Sequence, residues 1–303
     1  MEAANFTLAR NLRMAAPYQH RSKVTASTPE ALGKGVLELT GQLQTTLEAT
    51  TQLELFARTA RRAVDFDAMA YEHEPEGLSY GDGRKATHSV TYDLFLEGES
   101  LGTLVLYREV PFLEKEIGLL ENLLCALIYP LRNALVYRQA VQRALRDPLT
   151  GIANRAAFEQ ALERELELAR RQETPFSLLI VDIDHFKQCN DRYGHSFGDD
   201  VLRAVANTVS ATVRRSDLVF RFGGEEFIVL TSHTSCEGGR LLAERIRQNI
   251  ETLRTIGGRE IPLTVSLGVA CWRPEDDGKG LFDRADAALY KAKQNGRNRS
   301  CSE

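Results

Sequence analysis

Apolar residues fall into helix-like and strand-like periods that switch several times along the chain. Leu32 to Leu47 and Leu53 to Val64 carry apolar positions three and four apart, the spacing of one helix face. An extended segment opens at Met69-Ala-Tyr71, and a Gly-, Pro- and Glu-containing loop follows from Glu74 to Arg84. Val90 to Phe95 then alternates apolar and polar, Glu97-Gly98-Glu99-Ser100 reads as a hairpin turn, and Leu101 to Tyr107 as its partner strand. Within 113–146, Ile117, Leu120, Leu124, Leu127, Leu131, Ala134, Arg138, Val141 and Leu145 alternate three and four apart. This heptad seam predicts a helix that packs against its copy in a homodimer; the alternative is one amphipathic helix lying on its own domain. Pro130 should kink or divide it.

The second half has its own pattern. Phe158 to Leu168 is amphipathic and Pro175 stops that helix. Phe176 to Val181 is apolar without interruption, as in a central strand covered on both faces. A helix over Val201 to Val213 and a hairpin turning at Gly223-Gly224 into the strand Phe227 to Leu230 come next. Leu241 to Ile250 is a helix, Leu263 to Ala270 a strand and Leu281 to Lys293 the last helix. The order α-β-α-α-β-β-α-β-α predicts an α/β (α+β) fold with helices covering a mixed sheet.

Composition narrows the class. A chain of 303 residues suggests two domains, and 43% apolar with 26% charged residues is ordinary for a soluble globular protein. The net charge of −4 leaves no basic footprint for nucleic acid. Cys125, Cys189, Cys236, Cys271 and Cys301 are scattered without CxxC spacing, which favours a reduced, cytoplasmic protein over a disulfide framework or zinc site. No apolar run is long enough for a transmembrane helix, and Met1 to Lys23 lacks the apolar core of a signal peptide. Residues 1–30 read as a loose leader, 31–112 as a first domain, 113–146 as a connecting helix and 147–303 as a second domain. His73 and His88 read as surface or packed residues rather than metal or haem ligands.

Candidate chemistry gathers in the second domain. Asp182 and Asp184 stand where the apolar strand ends, and Glu225-Glu226 follow Gly223-Gly224 at a hairpin tip. Adjacent carboxylates repel, and hard oxygen ligands suit Mg²⁺. Asp182, Glu225 and a backbone carbonyl near Ile183 make a sensible metal seat, with phosphates and water in the remaining positions.

These residues lie in a series of separated motifs: DPLTGIANR (147–155), DIDHFKQCNDRYGHSFGDDVL (182–202), RRSD (214–217), GGEEF (223–227), SLGVA (266–270) and ALYKAKQNGRNR (288–299). The second domain is thereby similar to the GGDEF family, the diguanylate cyclases. The resemblance implies a ferredoxin-like nucleotidyl-cyclase palm that condenses two GTP into cyclic di-GMP with release of two pyrophosphates. It implies Mg²⁺ (or Mn²⁺) on Asp182, the Ile183 carbonyl and Glu225, with Glu226 beside the metals. Glu225 matches the proposed general base and Lys187 a residue that steadies phosphate charge. Phe186 supplies backbone near the triphosphate, Lys293 and Arg297 match the phosphate clamp, and Asn190, His195 and Asp199 match substrate-binding positions, with Asn190 and Asp199 against guanine. Arg214 and Asp217 match an inhibitory product motif, with Arg245 as a second arginine. The layout of 31–112 resembles a GAF-type sensor, without a diagnostic motif. A catalytically silent receptor for cyclic di-GMP or GTP is the alternative; such proteins usually lose the Gly-Gly-acid-Glu core, which is intact here.

Overall fold

The computed structural model describes residues 6–14 and 29–303. The chain divides into two compact units, 1–142 and 143–303.

The first unit contains, in chain order, β1 (Phe6–Met14), α1 (Pro29–Leu43), α2 (Ala49–Ala63), β2 (Ala68–His73), β3 (Leu78–Gly83), β4 (His88–Leu96), β5 (Glu99–Arg108) and α3 (Glu114–Ala144). The sheet order is β1-β4-β5-β2-β3, with β1 parallel to β4 and the other pairs antiparallel. The β4–β5 hairpin forms where expected, because Glu97 and Gly98 both adopt positive φ, as the twist of a two-residue hairpin turn requires. Two expectations change. The stretch 1–30 holds β1 and the start of α1, and its other positions lie outside the described residues. The loop 74–84 contains β3, which turns back along β2 after a left-handed Gly77.

Helix α3 brings the main correction. It runs unbroken through Pro130, which forfeits one backbone hydrogen bond without ending the helix. The expected dimer seam is instead part of the unit's own core: Leu120, Leu124, Leu127, Leu131 and Ala134 are wholly buried and pack in one cluster with Leu39, Leu53, Phe56, Tyr92 and Leu104. A heptad period marks an apolar stripe and does not say what covers it; here α1, α2 and the sheet do. By length and composition alone α3 could cross a membrane, but this stripe is committed to the core.

The second unit contains β6 (Ala153–Asn154), α4 (Arg155–Gln172), β7 (Ser177–Ile183), α5 (Phe186–Tyr193), α6 (His195–Thr212), β8 (Leu218–Arg221), β9 (Glu226–Thr231), α7 (Cys236–Glu251), β10 (Thr255–Ile256), β11 (Arg259–Glu260), β12 (Val265–Cys271), α8 (Gly278–Gln294) and β13 (Ser300–Ser302). The six-stranded sheet has the order β13-β12-β7-β9-β8-β6. Its four main strands with α6 and α7 form the ferredoxin-like β-α-β-β-α-β arrangement. Every residue of β7 is buried. Leu179, Val181 and Ile183 face a core with α6 and α7, whereas Leu178 and Ile180 face a core with α4 and α8. Alternation on a strand covered on both faces thus explains the unbroken apolar run.

Cys236 and Cys271 form a disulfide with Cα atoms 5.4 Å apart, against the expectation of unpaired cysteines. The packing of α7 on β12 joins residues 35 apart in sequence, a pairing that spacing cannot announce. The expected element order holds, with β6, the short β10–β11 hairpin and β13 added.

Leu124→Ala is expected to destabilise the first unit by about 2–5 kcal/mol, the range for emptying a leucine-sized core site. Urea unfolding followed by circular dichroism checks this; loss of association at unchanged stability would return Leu124 to an intermolecular seam.

Candidate functional site

The site begins with the direction of β7. Its final residues carry Asp182 and Asp184 out of a two-faced core, and both carboxylates are more than nine-tenths buried. β9 runs antiparallel beside it with Asp182 opposite Glu226, so the β8–β9 hairpin tip lies against the strand end. The Ile183 amide donates to the Glu225 carbonyl, and the Phe222 and Gly223 amides donate to the Glu226 carbonyl. Beneath the tip, Phe222 packs edge-on to Phe158 and against Phe282, while the Arg155 guanidinium covers its ring. The two glycines therefore sit over a packed base.

Three carboxylates crowd one end of the sheet. Burial, then the charge of Asp182, push Glu225 and Glu226 above the ordinary carboxylate range. Burial likewise raises Asp182, although Lys293 Nζ lies 2.9 Å from its Oδ2 and pulls the other way. The Arg297 charge also acts on Asp182. Among the described residues no three acidic, thiol or imidazole side chains converge as a ready-made metal cage. The donor set nonetheless suits a hard cation: buried and half-buried carboxylates that repel one another and share one lysine.

Asp184 has a different task. It accepts from Thr264 Oγ1, Ser266 Oγ and the Asn298 amide at 2.8, 2.7 and 3.0 Å, joining β7 to β12 and to the loop after α8. That loop holds Gly296, Arg297 and Asn298 at positive φ, a costly conformation for the two non-glycine residues. Asn298 is secured further by Arg247 and Glu251 of α7. The positive φ at Asn298 is therefore held by Asp184, Arg247 and Glu251, none of which could be assigned this job from spacing.

The remaining expected residues separate into groups. Phe186 is buried at the start of α5, and Lys187 beside it is exposed. Asn190 of α5 has a buried Oδ1 without a hydrogen-bond partner. Gly198 of α6 abuts that amide, and a Cβ there would strike it. Asp199 follows Gly198 on α6, and His195 stands exposed at its first turn. Away from these, Asp217 accepts from the Arg214 amide at 3.0 Å and closes a turn. Arg245 of α7 donates to the Thr212 carbonyl at 2.9 Å, which brings it to the α6 end just before Arg214.

One connection was not expected. Arg221, in the strand entering the hairpin, pairs with Asp147 at 3.0 Å and donates to the Gly224 carbonyl at 2.9 Å. It thus ties the first residue of the DPLT turn to the hairpin tip. Burial alone would raise Asp147, but hydrogen bonds from Thr150 and Arg221 outweigh it and hold the acid below its usual range.

Residues 144–299 match the family model described as diguanylate cyclase, GGDEF domain. The chain is 44% identical over 159 residues to the diguanylate cyclase DgcP of Pseudomonas aeruginosa, covering 52% of this chain and 24% of that protein. It is 28% identical over 282 residues to the diguanylate cyclase DgcS of Shewanella oneidensis, covering 93% of each. The crystal structure of the coiled coil and GGDEF domain of DgcB from Caulobacter crescentus, in complex with c-di-GMP, superposes with a TM-score of 0.55 at 33% identity, covering 57% of this chain and 92% of that one. The match thus spans about a quarter of the first relative's length and nearly all of the second's.

A group with a lowered folded pKa stabilises above its unfolded value and loses that contribution as pH falls. Arg221→Ala is therefore expected to cost about 1–3 kcal/mol at pH 7, as for loss of a hydrogen-bonded charged partner. The cost should shrink below about pH 4, where Asp147 protonates in the unfolded chain. Urea titrations at the two pH values check this; an equal cost at both would remove the ion pair from the account.

Proposed function

The chain belongs to the GGDEF family of diguanylate cyclases, and on that premise we propose that it condenses two GTP molecules into cyclic di-GMP with release of two pyrophosphates. The observation that carries this reading is the crowding of Asp182, Glu225 and Glu226 at one strand end with Lys293 as the facing cation.

Asp182, the Ile183 carbonyl and Glu225 would hold Mg²⁺ (or Mn²⁺), with Glu226 alongside; such an ion neutralises developing phosphate charge and acidifies a bound hydroxyl. Glu225 accepts the proton of the attacking 3′-hydroxyl. The 3′-oxygen bonds to the α-phosphorus of the second nucleotide as the bond to pyrophosphate breaks. Repetition of this step in the other direction closes the ring. Lys293 and Arg297 take phosphate charge, Lys187 adds a cation, and the Phe186 amide at the α5 N-terminus points positive dipole at the triphosphate. The unpartnered Asn190 Oδ1 suits a guanine donor, and Asp199 accepts from N1–H and the exocyclic amine, an edge adenine lacks. His195 completes the substrate-facing set.

Arg214, Asp217 and Arg245 form the proposed product site, where arginines meet guanine or phosphate and Asp217 a guanine edge. The helix-end contact of Arg245 near Arg214 supports it. The first unit, with a GAF-like helix and strand layout over 31–112, is the proposed sensor of the enzyme.

Two measurements test this reading. The Glu225→Ala/Glu226→Ala double variant is expected to lose cyclic di-GMP formation from GTP and Mg²⁺ by at least ~100-fold, as for removal of a catalytic acid–base group. Turnover retained in that variant would take the chemistry away from these two acids, and absence of turnover in a parent that still binds cyclic di-GMP would turn the reading to a receptor. Arg214→Ala is expected to raise the cyclic di-GMP concentration for half-inhibition by about tenfold or more, the loss of roughly one charged hydrogen bond. Unchanged inhibition would move the product site elsewhere.

A further inference from the structure

Helix α7 carries none of the residues assigned above to metal or substrate, yet one of its side chains reaches the loop after α8. The Arg247 side chain is 13% exposed. Its guanidinium donates to Glu244 Oε1 at 2.7 Å, to Glu251 Oε2 at 2.7 Å and to Asn298 Oδ1 at 2.8 Å. The Asn298 Nδ2 in turn donates to Glu251 Oε1 at 2.7 Å. Both ends of this amide are therefore matched, the oxygen to a cation and the nitrogen to a carboxylate, which leaves it one orientation.

The amide belongs to an unusual run of backbone. Gly296, Arg297 and Asn298 have φ of 107°, 61° and 47°, and two non-glycine residues in succession there relax unless their surroundings hold them. The backbone ties are few. The Arg297 amide donates to the Ala292 carbonyl at 3.1 Å, Arg299 Nε to the Arg297 carbonyl at 3.0 Å, and the Asn298 amide to Asp184 Oδ2 at 3.0 Å. Arg297 itself is exposed. Among the described residues its guanidinium has no hydrogen-bonded or ion-paired partner, so the backbone beneath it decides where it points.

On the reading of Arg297 as a phosphate-binding cation, we propose that Arg247, with Glu251, is a positioning residue of the cyclase reaction. By gripping the Asn298 amide it holds the neighbouring Arg297 toward the triphosphate. A cation fixed in advance stabilises phosphate charge without reorganising when substrate arrives, whereas a released loop must be ordered at each binding event. The arginine fork suits the task, since its planar donors reach two carboxylates and one amide at once. A lysine ammonium on a flexible stem cannot hold all three in fixed geometry. Asp184 fastens the same loop but stands two residues from Asp182, so its substitution would disturb the carboxylate cluster directly. Arg247 acts from the far end of the Asn298 side chain and separates the two effects.

The test uses the full chain and two ligands: α,β-methylene GTP, in which the bond to pyrophosphate cannot break, and guanosine, which has no phosphate. Binding of the first is measured by calorimetry in Mg²⁺, and of the second by displacement. Arg247→Ala is expected to weaken the triphosphate analogue about threefold to tenfold, as for loss of one hydrogen bond, with guanosine unchanged within about twofold. Arg297→Ala should weaken the analogue at least as much. The Arg247→Ala/Arg297→Ala double variant should then bind it no worse than Arg297→Ala alone, because Arg247 acts through Arg297. Asn298→Gly tolerates the left-handed backbone but offers no amide to hold. It is expected to repeat the effect of Arg247→Ala, and it carries the test by itself if Arg247→Ala does not fold. Arg297→Ala without effect on the analogue would overturn the phosphate reading of that residue. A weakened Arg297→Ala beside an unaffected Arg247→Ala and Asn298→Gly, or penalties that simply add in the double variant, would overturn the positioning role. Equal losses for guanosine and the analogue would overturn it too and leave Arg247 a residue of folding.

Discussion

Charge concentrated at the mouth of a buried strand is the constraint on which the second unit depends. β7 is covered on both faces and delivers Asp182 at a point where water is scarce. The antiparallel hairpin then adds Glu225 and Glu226. Within the described structure the ion pair on this cluster is with Lys293, on the helix that packs across β7 and β12. A site with this imbalance favours positive charge and ligands that bring it. Raised carboxylate pKa values express the same fact, since burial and mutual repulsion both disfavour the charged forms.

The surroundings keep that cluster in place. Asp184, two residues beyond Asp182, faces β12 and the loop after α8, where its two oxygens collect three donors. Neighbouring acids thus divide their work: one points into the site and the other fastens its walls. The hairpin is held from below by the Phe158, Phe222 and Phe282 rings and from the side by Arg221 and Asp147. Rigid support of this kind matters because positioning and fixed charge contribute only when they need no rearrangement at the moment of reaction.

Helix α3 shows how one amphipathic pattern can have two outcomes. Its heptads contain two stripes on different sides. One is consumed by the first unit's core and the other stays exposed. Substitutions on the inner stripe consequently read out folding of the first unit, whereas those on the outer one leave its core untouched.

The sequence by itself determined the family-bearing motifs, the strand–acid junction at Val181-Asp182, the Gly-Gly hairpin and most of the element order. Those signals are local: periodicity, turn chemistry and adjacent residue types suffice. Only the tertiary structure decided that Leu124 and Leu127 belong to an intramolecular core, because periodicity marks a face without naming its partner. The Cys236–Cys271 disulfide, the Asp147–Arg221 pair and the hold of Asp184 on Asn298 lie in the same class. Each joins residues far apart in the chain, brought together by how helices cover the sheet, and no spacing rule along one strand of sequence encodes that meeting. The short strands β6, β10, β11 and β13 escaped for a related reason: two or three residues cannot show a period, and their pairing is set by the neighbours they edge.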